Sequence, residues 1–332
     1  MNWTVLITDY VWPSIEPEKK ILEDAGANVV ISPSTDEKTL INLAKECDAI
    51  LTCFANVNHN VIESAKKCVV IGRFGVGVDN IDVSTATQKG IAVTYVPDYC
   101  IDEVSDHVFA LMLTWNRKII PLNHSVKNAG WGSLELTMRI MRLRGKTLGI
   151  IGFGRIGQSV ALKAKAFGLN ILVYDPNHQQ NISSDFQNVS LNELLQKSDF
   201  VSLHAPSNTS TNQMISFDEF NLMKSDAFII NCARGALVDE KALYKALTEN
   251  QIAGAGIDVM IDNIPTTSNP LLKLENLIVT PHTAFFSQES TLELEERGAM
   301  EVVKVIKGEM PDNLVNPEVL NHKSPRHSIS KS

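Results

Sequence analysis

The stretch KTLGIIGFGRIGQSVALKAKAFGLNILVYD, Lys146 to Asp175, constrains the fold of this chain more than any other segment. An apolar strand runs into Gly152-Phe153-Gly154-Arg155-Ile156-Gly157. A helix follows and closes at Gly168, and a second apolar strand ends on Asp175, 18 residues past the third glycine. A glycine triplet alone is weak evidence, but strand, helix and distal acid in this order make a dinucleotide-binding βαβ unit. Gly152 permits the tight turn, Gly154 lets backbone approach a pyrophosphate, and Gly157 lets the helix pack closely on the strand. The helix start at Arg155 and Ile156 offers free N–H groups and a positive dipole end to the phosphates. Asp175 is placed to bond adenosine ribose hydroxyls and to repel a 2′-phosphate, which favours NAD over NADP.

Short apolar runs alternate with amphipathic stretches along the rest of the chain, the pattern of parallel sheets covered by helices. At 332 residues, 44% hydrophobic and 20% charged, it has the length and composition of two globular α/β domains. Strands are expected at Val5–Thr8, Val29–Ile31, Ile50–Thr52, Val69–Ile71 and Ala92–Tyr95. A second set of six, a full dinucleotide-binding sheet, is expected at Thr147–Ile151, Ile171–Tyr174, Phe200–His204, Phe228–Cys232, Gly254–Val259 and Leu277–Thr280. Helices are expected at Asp36–Glu46, Asn60–Lys67, Asp102–Arg117 and Ser287–Lys307, and a mobile tail from Asn321 onward, where periodicity stops.

Thirty basic against 38 acidic residues leave a formal charge of −8, with no basic run longer than a pair such as Lys66-Lys67, which argues against nucleic acid as a partner. No basic leader and no long uncharged apolar window suggest a membrane or secretion signal. Cys47, Cys53, Cys68, Cys100 and Cys232 form an odd set without CxxC spacing, expected to be reduced core thiols of a cytoplasmic protein with no metal site.

Beyond the glycine turn, the chain resembles the D-isomer-specific 2-hydroxyacid dehydrogenase family over nearly its whole length. The resemblance rests on GRFGVGVDNID (Gly72 to Asp82), VPDYCIDEVSDH (Val96 to His107), LRGKTLGIIGFGRIG (Leu143 to Gly157), INCARGALVDEKAL (Ile230 to Leu243), GAGIDV (Gly254 to Val259) and TPHTAFFS (Thr280 to Ser287). HTAFFSQES and KGEMPDN are most similar to the branch that includes the C-terminal-binding corepressors. The resemblance implies two Rossmann-like or flavodoxin-like domains with the active site in a cleft between them. Residues 1–100 plus 287–332 would be the substrate domain and 101–286 the NAD-binding domain. It also implies a homodimer formed through the cofactor domain, with Leu122 to Arg142 in the interface.

Residue by residue, the resemblance assigns Arg234 to the substrate carboxylate, where a planar guanidinium suits bidentate binding. It assigns His282 as the acid/base, with an ordinary pKa near 6.5 that lets it donate during reduction and accept during oxidation. The backbone N–H groups of Val76 and Gly77 would meet the carboxylate, and Asp258 the nicotinamide carboxamide. Cys232 and Ala233 would line the nicotinamide, Cys232 as a small wall rather than a nucleophile, and His204-Ala205-Pro206 would lie near the adenosine. Val76, Arg234 and His282 would touch the cofactor as well. The remaining histidines read as solvated or structural.

Two positions depart from the family. Its histidine-supporting glutamate falls here on Asn263, beside Asp262; an amide can orient His282 without stabilising its protonated form. The loop Thr52-Cys53-Phe54-Ala55-Asn56 has no Lys or Arg between Lys45 and Lys66, which disfavours a phosphorylated substrate. Phe54 and Phe285 would instead wall the site, giving a 2-oxo acid with a small or apolar side chain. The alternatives are an NAD(H)-responsive binding protein of corepressor type with little turnover, and a dehydrogenase of another donor such as formate or phosphite.

Overall fold

The computed structural model describes residues 3–132, 134–177, 186–262, 265–323 and 325–329. They divide into unit 1, Met1–Tyr99 with Ser287–Ser332, and unit 2, Cys100–Phe286. Unit 1 alternates β1 (Trp3–Ile7), α1 (Glu16–Asp24), β2 (Ala27–Ile31), α2 (Glu37–Ala44), β3 (Ala49–Thr52), α3 (His59–Ser64), β4 (Val70–Arg73), α4 (Val83–Gln88) and β5 (Ala92–Thr94). Among the described residues its sheet has five parallel strands in the order β2-β1-β3-β4-β5, the flavodoxin-like order. Every residue of β3, β4 and β5 is buried, as continuous apolar strands covered on both faces require. Polar caps start the helices: Asp36 accepts from Thr39 N, Asn58 from Val61 N and Asp82 from Thr85 N.

Unit 2 runs α5 (Ile101–Asn116), α6 (Ile119–Ala129), α7 (Leu134–Met138), β6 (Thr147–Ile151), α8 (Arg155–Ala166), β7 (Asn170–Tyr174), β8 (Gln187–Asn188), α9 (Leu191–Lys197), β9 (Phe200–Leu203), α10 (Phe217–Leu222), β10 (Phe228–Asn231), α11 (Glu240–Thr248), β11 (Gly254–Ile257) and β12 (Leu277–Val279). Its sheet is parallel, in the order β12-β11-β10-β9-β6-β7-β8. The direction of strand addition reverses between β6 and β9, and at such a reversal a doubly wound sheet opens a crevice beyond its strand carboxyl ends.

The helix α12 (Gln288–Ile306), capped by Ser287, belongs to unit 1 and packs on β4. Two glycines make that seat. A Cβ on Gly298 would fall 2.7 Å from the Phe74 ring, and one on Gly72 would fall 2.7 Å from Val302 Cγ2.

Two expectations need correction. Among the described residues the unit 2 sheet has seven strands rather than six, because Gln187 and Asn188 pair with Leu172 and Val173. Both are exposed and polar, so no apolar run announced the strand. Beyond Asn321, the described residues 325–329 are docked: Arg326 Nη1 donates to Ala65 O at 2.6 Å, Arg326 N to Gly90 O at 2.9 Å, and His327 and Ile329 are buried. These are single anchoring contacts, invisible to a search for periodicity. Among the described residues no helix is long and apolar enough to cross a membrane.

Candidate functional site

Because the unit 2 strands are parallel, the loops after β6, β7, β9, β10, β11 and β12 leave one edge of the sheet, and the described unit 2 residues singled out as cofactor or catalytic candidates lie on them. The glycine turn after β6 has a steric reason at each position. Gly152 has φ +91°, and a Cβ there would lie 2.6 Å from Ala205 N. A Cβ on Gly157 would lie 2.3 Å from Gly152 O. Gly154 differs, because a Cβ there would meet nothing within 4 Å. The protein itself does not demand glycine at 154, so the open space beside it is a cradle for backbone approach by a ligand. Gly154 also caps α8 without a side chain, leaving the first-turn N–H groups to an outside acceptor. These residues fit a dinucleotide.

Asp175, at the end of β7, is buried and holds this turn: Oδ2 accepts from Phe153 N at 2.7 Å and Oδ1 from Asn177 N at 2.8 Å. The His204 imidazole meets Ser202 Oγ at 2.8 Å, and burial pushes it down to about 4, so it is neutral at pH 7. Its backbone, against Gly152, is the part that shapes the turn.

After β10, the buried Asn231 ties the next loop, accepting from Ala233 N at 3.0 Å and donating to Arg234 O at 2.9 Å. Arg234 Nη1 donates to Ala233 O at 2.8 Å. The glycine that follows is obligatory: a Cβ on Gly235 would sit 2.1 Å from Met260 C. The arginine loop is thus pressed against the chain leaving β11. The Cys232 residue is partly exposed, but burial of its thiol, with the Asp258 carboxylate near, pushes the thiol well above its ordinary range. That is the character of a wall rather than a nucleophile.

After β11 comes Asp258, 2% exposed. Its Oδ1 accepts from Thr280 Oγ1 at 2.5 Å and Thr283 N at 2.9 Å, and its Oδ2 from Ala284 N at 2.8 Å. Its backbone oxygen accepts from His282 N at 2.8 Å. The turn after β12 is therefore wound around this one carboxylate. His282 has φ +54°, a left-handed conformation uncommon outside glycine. A cavity of about 150 Å³ is lined by His282 together with Asp258, Met260, Pro265 and Thr280. Phe285 is buried, stacked on Phe286 at 4.2 Å and edge-on to His282 at 6.0 Å. Asn263 lies outside the described residues, and Asp262 is exposed.

In unit 1 the loop after β3 is held from both sides by residues the sequence reading did not single out. Asp9 accepts from Cys53 N at 3.0 Å, Phe54 N at 2.6 Å and Ala55 N at 3.1 Å. Asn80 Nδ2 donates to Ala55 O at 2.8 Å, and its Oδ1 accepts from Arg73 Nε at 3.1 Å. The Arg73 guanidinium lies 5.8 Å from the Phe54 ring centre and under Gly75, whose φ is +149°. The loop itself carries no Lys or Arg, but a cation reaches it from β4, 19 residues beyond Phe54 in sequence. Val76 and Gly77 follow on the same turn, Val76 exposed.

Residues 109–284 match the family model described as D-isomer specific 2-hydroxyacid dehydrogenase, NAD binding domain. The chain belongs to the D-isomer specific 2-hydroxyacid dehydrogenases. Among members of this family, a D-3-phosphoglycerate dehydrogenase of Methanocaldococcus jannaschii is 42% identical over 317 residues, 94% of this chain and 59% of that protein. The chain thus spans about three fifths of that relative's length. A glyoxylate reductase of Korarchaeum cryptofilum is 39% identical over 294 residues, 87% of this chain and 89% of the relative. The structure of a D-lactate dehydrogenase from Aquifex aeolicus, complexed with NAD and lactic acid, superposes with TM-score 0.85 at 29% identity, covering 99% and 100% of the two chains. Two parallel-sheet α/β units are the architecture such dehydrogenases share.

Proposed function

We propose that this chain is an NAD(H)-dependent D-2-hydroxyacid dehydrogenase working as a reductase of 2-oxo acids with a small or apolar side chain. The observation that carries the reading is the placement of Arg234, Asp258 and His282 after three neighbouring strands, on the same sheet edge as the glycine cradle. In this reading Met1–Tyr99 with the carboxyl-terminal segment is the substrate domain and Cys100–Phe286 the cofactor domain. Bound nicotinamide supplies the hydride. Arg234 holds the substrate carboxylate and draws electron density from the carbonyl oxygen. His282 donates a proton to that oxygen as the carbon is reduced, and the Val76 and Gly77 N–H groups steady the carboxylate. Ala205, Pro206 and Ala233 line the cofactor, and an acid at 175 selects NAD over NADP. Phe54 and Phe285 are the apolar side of the pocket, and Asn263 orients His282.

Arg73 favours a second substrate reading, because a guanidinium lies beside the Phe54 loop. Its Nε and Nη1 already serve Asn80 Oδ1 and Phe74 O, which keeps it below an unphosphorylated substrate as the leading case. The test is turnover of pyruvate, glyoxylate, hydroxypyruvate, 2-oxoisocaproate, phenylpyruvate and phosphohydroxypyruvate with NADH and NADPH. Reduction of an unphosphorylated member with NADH, lost by about a hundredfold or more in Arg234→Gln and His282→Gln, is the expected result. Preference for the phosphorylated member transfers the assignment to the Arg73 reading, and no turnover of any member refutes reductase function. Asn263→Glu is expected to displace the pH profile of reduction upward, because a carboxylate stabilises the imidazolium.

A second copy of the chain is the proposed partner. Trp131, just after α6, and Leu134 and Met138 of α7 are 83, 77 and 79% exposed, apolar surface that a monomer in water does not explain. Sedimentation of the wild type as a dimer, and of Trp131→Glu as a monomer, is the expected pair of results.

A further inference from the structure

Resting on the reading of His282 as acid/base, we infer that His107, on α5, is a positioning residue that fixes the His282 turn through Thr280 and Asp258. The His107 Nε2 atom lies 2.9 Å from Thr280 Oγ1 and 3.7 Å from Asp258 Oδ1. The hydrogen inventory gives this contact a direction. Thr280 has one hydroxyl hydrogen, and at 2.5 Å from Asp258 Oδ1 that hydrogen belongs to the carboxylate. Toward His107, Thr280 can only accept, so Nε2 of His107 carries a hydrogen and donates it. The chain of donors runs from helix α5 to the Thr280 hydroxyl to the Asp258 carboxylate. That carboxylate binds the Thr283 and Ala284 N–H groups on the far side of His282.

His282 needs such a clamp. A non-glycine residue at φ +54° is strained, and strain of this kind persists only where the surroundings over-determine it. Its backbone N–H reaches Asp258 O, and the residues before and after it are tied to Asp258 Oδ1 and Oδ2. His107 is the member of this network that comes from outside the β11 and β12 loops. It keeps Thr280 aimed at the carboxylate instead of letting the hydroxyl rotate away. Without its N–H, the clamp retains the backbone contacts but loses the restraint on one side, and the imidazole of His282 wanders from the position where proton donation is fast.

The experiment compares His107→Phe, which keeps a ring but removes the donor, with His107→Gln, which replaces one N–H by another. In His107→Phe, kcat is expected to fall roughly tenfold or more while KM for NADH and the melting temperature stay near wild type. His107→Gln is expected to remain within about threefold of wild type. Hydrogen exchange of the Thr283 and Ala284 amides is expected to quicken in the Phe variant and not in the Gln variant, a readout that does not depend on what His282 does chemically. Thr280→Val with His107→Phe is expected to be no worse than Thr280→Val alone, as for two links of one chain. Unchanged kcat and unchanged exchange in His107→Phe overturn the inference, as do equal losses in the Phe and Gln variants. Quickened exchange without loss of kcat, together with full activity in His282→Gln, sustains the positioning role and overturns instead the reading of His282.

Discussion

The two units each bury acidic side chains, and they do so in opposite ways. In unit 2, Asp258 is enclosed by donors: one hydroxyl and two backbone N–H groups point at its two oxygens. In unit 1, Glu18 of α1 and Glu295 of α12 are buried against each other, 0 and 5% exposed. Trp12 Nε1 donates to Glu18 Oε1 at 3.0 Å, whereas Glu18 Oε2 is buried without a hydrogen-bond partner among the described residues. Burial, the facing carboxyl and the nearby Glu296 push Glu295 up to about 8, and burial raises Glu18 as well, with Glu16 adding to it. One site therefore organises a loop with its carboxylate, and in the other burial and mutual proximity push two acids on neighbouring helices toward their protonated forms. What surrounds a carboxyl, rather than its depth, decides which task it performs.

The comparison breaks most visibly at Asp258. Removing the side chain in Asp258→Ala leaves Thr280 Oγ1, Thr283 N and Ala284 N without their acceptor, at about 1–3 kcal/mol for each orphaned donor. For a unit of this size, that is a fall in melting temperature of about 10 °C. Turnover should fall by at least a hundredfold, because the turn carrying His282 loses its centre. Calorimetry and steady-state kinetics on the purified variant check both; a variant that keeps wild-type turnover would show that the carboxylate does not organise the turn.

The acid pair predicts a smaller effect with a definite pH sign. Glu295 binds its proton up to about 8 in the fold, against about 4.3 in an unfolded chain. Between those values the folded state holds the extra proton, so this contribution is fully present below about 4.3 and is lost as pH rises through about 8. Glu295→Gln keeps a hydrogen facing Glu18 at every pH. The variant's melting temperature is expected to be nearly flat between pH 6 and 9 where that of the wild type declines, a gap of several degrees at the alkaline end. Parallel curves would mean that Glu295 does not hold the extra proton. Glu18→Gln is expected to flatten the curve by a similar amount, and a double variant to add little to either alone.

The same contrast explains what could be read from the sequence. Apolar runs mark strands because each is buried on two faces, and the glycine turn is legible because Gly152 and Gly157 answer to backbone atoms only angstroms away. Arg234, Asp258 and His282 were found because each follows a strand inside a recognisable motif. His107 passed for a structural histidine, since its partner Thr280 lies 173 residues further on. Asp9, Arg73 and the Glu18–Glu295 pair escaped for the same reason: their meaning lies in partners that only the folded chain supplies. Composition carries no trace of which buried acid is met by donors and which by another acid.

The least drastic test concerns the indole. Trp12 gives its N–H to Glu18 and sets its ring edge-on to Phe74, with centroids 5.1 Å apart. Trp12→Phe keeps an aromatic ring against Phe74 but removes the donor. Loss of one hydrogen bond of this kind is worth about 1 kcal/mol, a fall of a few degrees at neutral pH. The direction in pH is the more telling result. The indole donor favours the ionised form of Glu18, so without it the pair holds its proton more tightly. The alkaline decline in melting temperature is then expected to continue to higher pH before levelling off than in the wild type. An unchanged or lower levelling-off pH would show that Trp12 serves the pair through packing alone, and that its N–H does not set how tightly the acids between α1 and α12 hold a proton.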